Sequence, residues 1–91
     1  MSITAFKLTV HGRVQGVFYR KTAAEQAQNL GLTGWVKNNP DGTVEMVIQG
    51  EEKDLSKMIE WCWEGPKNAV VTKVEQVEIS PENYSDFRVV R

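Results

Sequence analysis

Within residues 11–20, HGRVQGVFYR, the apolar pattern of this chain changes period. Before that stretch, Phe6, Leu8 and Val10 alternate with Lys7, Thr9 and His11, the period-two pattern of a half-buried strand. After it, Ala23, Ala27 and Leu30 recur at i, i+4 and i+7, which predicts a helix over 19–30 with Gly31 at its C-terminal cap. The junction holds Gly12, Gly16, Arg13 and Arg20. A strand that passes through a glycine loop into a helix commits the chain to a βα unit, with the helix laid back on the sheet. The first amides of such a helix have no partner inside it. Those amides, the positive end of the helix dipole and an arginine together form a site for a phosphate-like anion.

The remaining pattern extends this unit. Thr33, Trp35 and Val36 favour a second strand over Thr33–Asn38. Asn39-Pro40-Asp41-Gly42 is a turn signal, and a third strand over 43–49 carries Val44, Met46 and Ile48 on one face. Leu55, Met58, Ile59 and Cys62 mark a second helix over 51–63, with Glu51, Glu52 and Asp54 at its start and Gly65-Pro66 as its stop. Val70–Ile79 reads as a long strand whose alternation slips between Val74 and Val77, pointing to a bulge or an edge position. Phe87–Val90 reads as a short extra strand.

The order β-α-β-β-α-β plus a short C-terminal strand is the split pattern of an α+β ferredoxin-like sandwich: a mostly antiparallel sheet with two helices on one face. One domain spans 1–91, the size of a single small core. In that topology strands one and two run parallel. The end of strand one, the start of the first helix with Arg20, and Asn38 therefore share one edge of the sheet, although 18 residues separate Arg20 from Asn38.

Composition narrows the class of partner. With 41% hydrophobic and 25% charged residues the chain is ordinarily globular, and its net charge of −1 lacks the basic excess of a nucleic-acid binder. No apolar run approaches the roughly 20 residues of a membrane span. The start MSITAFK lacks the charged and apolar regions of a signal peptide. One cysteine, Cys62, and one histidine, His11, leave no internal disulfide and no Cys/His metal cluster. The expectation is a cytoplasmic monomer without metal or cofactor, binding neither nucleic acid nor membrane.

On three stretches, GRVQGVFYR at 12–20, LGLTGWVKN at 30–38 and DGTVE at 41–45, the chain resembles the acylphosphatase family, in the same order of elements and over nearly its whole length. The resemblance implies hydrolysis of the carboxyl–phosphate anhydride of a small acyl phosphate. It implies that Arg20 and Asn38 are the catalytic residues, Arg20 binding phosphate and Asn38 orienting the attacking water. It also implies a phosphate cradle from the amides of Gln15, Gly16, Val17, Phe18 and Tyr19 together with Arg20. These residue types suit the task. Guanidinium matches phosphate with a planar fork of donors, and a carboxamide can hold a water yet takes no proton at neutral pH. With Asn38 as the water ligand the base must lie elsewhere, and a phosphate oxygen of the substrate is the economical candidate.

Other chemistry-bearing residues have plainer readings. His11 lies on the polar face of strand one, Arg13 is a solvated arginine, and Cys62 belongs to an apolar helix stripe. Trp61 and Trp63 fall off that stripe and are expected against the sheet edge or Pro66. A ferredoxin-like sheet also hosts RNA-binding and regulatory modules. The third strand has no aromatic residue of the kind RNA recognition by such sheets requires.

Overall fold

In the computed structural model, which describes residues 2–91, the elements are β1 (Thr4–Arg13), α1 (Tyr19–Asn29), β2 (Thr33–Asn38), β3 (Val44–Gly50), α2 (Glu52–Glu64), β4 (Val70–Ile79) and β5 (Phe87–Val90). They form one five-stranded sheet in the order β4-β1-β3-β2-β5. Pairings β1–β3, β1–β4 and β2–β3 are antiparallel, and β2–β5 is parallel. Because β1 and β2 both oppose β3, they run parallel to each other. The ferredoxin-like α+β architecture expected from the element order is the one observed.

The core lies between the sheet and the two helices. Leu8 and Val10 of β1, Val36 of β2, and Val44, Met46 and Ile48 of β3 are fully buried beneath Ala23 and Ala27 of α1 and Leu55, Met58 and Cys62 of α2. Small alanines on α1 let that helix approach the sheet closely, while larger Leu and Met side chains fill the space under α2. The helices are joined at one point. Cys62 O is an end carbonyl of α2 whose natural i+4 partner would be residue 66, a proline with no N–H. The hydroxyl of Tyr19, at the start of α1, donates to it at 2.7 Å. The Tyr19 ring also packs on Trp61, with centroids 5.3 Å apart. Trp61 thus meets the first helix, and Trp63 is exposed.

Helix α1 stops as expected. Gly31 has φ +73°, its N–H donates to Gln28 O, and Leu32 N donates to Ala27 O, the paired bonds of a Schellman cap. The loop between strand one, read to His11, and the helix, read from 19, is shorter than expected by two residues at its start. His11, Gly12 and Arg13 belong to β1, with Gly12 and Arg13 pairing Val71 and Val70 beyond a register break. Strand β4 is an edge strand, which accounts for its exposed Val77; its one irregularity lies at this break rather than between Val74 and Val77. From β4 the chain crosses to the opposite sheet edge over the face away from the helices. There the side chain of Gln49 on β3 donates to Glu82 O at 2.7 Å and accepts from Glu82 N at 2.9 Å.

Candidate active site

The edge of the sheet where β1, β2 and β5 end, and where α1 begins, holds a cavity of about 390 Å³. Its wall comprises Val14, Gly16, Phe18, Tyr19, Arg20, Lys21, Asn38, Val89 and Arg91. Its charged side chains are those of Arg20, Lys21 and Arg91, all cationic, with no carboxylate, imidazole or thiol side chain among them. A wall of this kind attracts an anion and supplies it with hydrogen bonds.

The loop over 14–18 is fixed from below and open above. Val14 and Val17 are buried in the core, anchoring the loop. Between them Gly16 adopts φ +76° with nothing within 4 Å of the position of an added Cβ. It is therefore the backbone conformation, and not crowding, that calls for glycine there. Phe18, at the N-cap of α1, has φ +66° and makes no side-chain capping bond. Its carbonyl accepts from Thr22 N and Thr22 Oγ1. Among the described residues the amides of Tyr19, Arg20 and Lys21 find no acceptor, and α1 has no acidic residue in its first turn. The second helix differs: Glu52 and Asp54 stand in its first turn, and the amide of Asp54 bonds back to Glu51 O. Helix α1 thus presents free donors and positive dipole to the cavity.

Arg20 stands where the helix dipole opposes a cation, and no carboxylate lies within salt-bridge distance of it among the described residues. Its one tie is from Nη1 to Val90 O at 3.1 Å, which leaves the other guanidinium donors free. Asn38 closes β2, opposite Val44 of β3, and its side chain makes no hydrogen bond to the described residues. The next asparagine contrasts with it. Asn39 Nδ2 donates to Thr43 Oγ1, Thr43 Oγ1 donates to Asp41 Oδ1, and Asp41 Oδ1 also accepts from Thr43 N, so the hairpin is held by its own side chains. The Thr43 hydroxyl and amide hold the Asp41 carboxyl below the usual carboxylate range.

Of the residues expected to cradle phosphate, Gly16, Phe18, Tyr19 and Arg20 line the cavity together with Asn38. Gln15 and Val17 do not. Val17 is buried, and Gln15 Nε2 donates to Asn39 O and Thr43 O, both at 2.8 Å. Gln15 thereby ties the loop to the hairpin that follows Asn38, a side-chain role the sequence did not disclose. The cavity also includes Lys21, Val89 and Arg91, which carry no sequence signal; β5 brings the latter two there by pairing parallel to β2. His11 is on the polar face of β1 as expected, its Nε2 2.6 Å from Glu75 Oε1. Burial pushes the Cys62 thiol up to about 12 and the Tyr19 phenol above its ordinary range, so neither ionises near neutrality. Among the described residues no group of three or more His, Cys, Asp or Glu could hold a metal, and no helix is long and apolar enough to cross a membrane.

Residues 6–89 match the acylphosphatase family. The chain is 48% identical over 89 residues to an acylphosphatase of Marinobacter nauticus, covering 97% of each protein. It superposes on an acylphosphatase structure from Coxiella burnetii with TM-score 0.94 at 49% identity, covering 97% of this chain and 93% of that one. It superposes on the acylphosphatase of Bacillus subtilis with the same TM-score at 35% identity, covering 97% of this chain and 99% of that one. A family match over residues 6–89, and a fold shared with solved acylphosphatases along nearly the full length, make this chain an enzyme of the acylphosphatase family.

Proposed function

We propose that this enzyme cleaves the carboxyl–phosphate anhydride of small acyl phosphates, giving a carboxylate and inorganic phosphate. The phosphate sits on the amides of the 15–20 loop and the Arg20 guanidinium, and Asn38 orients the attacking water. Water attacks phosphorus, the bond from phosphorus to the acyl oxygen breaks, and its electron pair leaves on the carboxylate. One water proton stays on the new phosphate hydroxyl and the other passes to a phosphate oxygen of the substrate. The chain acts as a cytoplasmic monomer with neither metal nor cofactor.

The observation that carries this reading is the convergence of Arg20, Asn38 and the unpaired α1 amides on one cavity whose wall holds no general base. An acyl phosphate has a good leaving group, so neutralising its charge and placing one water suffices. The purified chain should hydrolyse benzoyl phosphate at a rate unaffected by EDTA. Asn38→Ala should lower kcat on the order of 10²-fold with little change in KM, because it removes water positioning and leaves phosphate binding. Arg20→Ala should raise KM as well as lower kcat. Native hydrolysis no faster than that of either variant overturns the reading.

A further inference from the structure

Phe18 is the one non-glycine residue among the described residues with positive φ, at +66°, and its side chain is 75% exposed. For a bulky residue that backbone is a genuine outlier, and an exposed aromatic ring forgoes the burial that ordinarily accounts for its presence in a small domain. Phe18 is absent from the core cluster, and its side chain caps nothing. The ring is no part of the core. Two unfavourable features at one position of a ligand cavity point to a role toward the ligand.

The cavity has room for such a role. At about 390 Å³ it exceeds what a five-atom phosphate fills; at about 30 Å³ per water it would hold roughly a dozen waters. Among its lining residues the exposed apolar side chains are Phe18 and Val89, the latter 37% exposed. Val14 and Tyr19 are buried and belong to the core. Phosphate uses the amides and Arg20, so the remaining apolar surface is left for whatever the phosphate carries.

We propose that the Phe18 ring, with Val89 in the same cavity wall, is the acyl-recognition face of this site and selects substrates with an aromatic or otherwise apolar acyl group. This rests on the acyl phosphate reading above. A planar acyl group stacks on or abuts the ring, whereas an acetyl group covers little of it. Phe18 is in this sense a specificity-determining residue whose side chain contributes through the leaving group.

The test is the ratio of kcat/KM for benzoyl phosphate to that for acetyl phosphate, in the native chain and in Phe18→Ala, Phe18→Gly and Phe18→Tyr. Both substrates present the same phosphate, so any disturbance of the loop amides affects both and cancels in the ratio. Loss of one aromatic contact should lower the ratio about fivefold in Phe18→Ala and Phe18→Gly. Phe18→Tyr, which keeps the ring, should preserve it. Glycine favours positive φ, so Phe18→Gly should lose discrimination without a lower melting temperature, which a packing role would not allow. A ratio unchanged in Phe18→Ala, or lowered equally in Phe18→Tyr, overturns the proposal. Failure of the native chain to hydrolyse either substrate overturns the functional reading and the proposal together.

Discussion

Tyr19 shows how one side chain links sequence to site. Its neighbours on either side face the cavity as Phe18 and Arg20, while its ring is buried against Trp61 and its hydroxyl satisfies the Cys62 carbonyl that Pro66 leaves without a partner. It fixes the first turn of α1 to the end of α2, and with it the backbone from which Arg20 projects. Phe at this position keeps the ring and removes the donor. Tyr19→Phe should therefore destabilise the fold by about 1–3 kcal/mol, the range for a buried carbonyl left unsatisfied. Urea unfolding measures this, and an unchanged midpoint would show that water takes the hydroxyl's place. The sequence marked Tyr19 only as a cradle residue, because nothing local announces a contact with a carbonyl 43 residues away.

Between elements, the 14–18 loop and the β2–β3 hairpin are joined by Gln15. Its amide bridges Asn39 O and Thr43 O, the two carbonyls that flank the turn after Asn38. Thr43 O also accepts from Asn39 N, so it keeps one bond if Gln15 is lost, while Asn39 O keeps its bond from Gly42 N. Loss of Gln15 thus leaves each half intact and loosens one against the other. Gln15→Leu, close in size but without donors, should lower kcat/KM about tenfold or more, since small misplacements of a positioning group carry large rate penalties. Steady-state kinetics on benzoyl phosphate checks this, and a variant with native kinetics would show that the hairpin holds Asn38 unaided. The cap at Gly31, the turn at 39–42 and the strand and helix periods were all legible, because each depends on residues within a few positions of one another. The glutamine bridge was not, because a polar residue in a glycine loop reads equally well as solvated.

At the scale of the whole domain, two carboxylates outside the cavity are held below their ordinary range in the folded state. Hydrogen bonds from Thr43 hold Asp41 low, and the hydrogen bond from His11 followed by the charge of Lys73 holds Glu75 low. A carboxylate depressed in the folded state adds stability above its unfolded value. That stability is lost as pH falls through the folded value. Stability should therefore decline below about pH 4, where the unfolded carboxyls begin to bind protons. Asp41→Asn and Glu75→Gln should each flatten that decline, measured as melting temperature against pH. An acid limb of native steepness in both variants would place the effect elsewhere. Both groups are exposed, so added salt should weaken the Glu75 contribution more than that of Asp41, whose partners are hydrogen bonds within one turn.

The order of elements, the βα junction and the shared edge of Arg20 and Asn38 were determined by the amino-acid sequence. Apolar period, turn chemistry and the parallel course of β1 and β2 are short-range patterns or direct consequences of topology. Only the tertiary structure decided what closes the site. The parallel pairing of β5 on β2 brings Val89 and Arg91 to the cavity and Val90 O to Arg20, and Gln15 meets a hairpin more than 20 residues along the chain. Such contacts depend on register and packing across the whole sheet, which no local pattern of residues encodes.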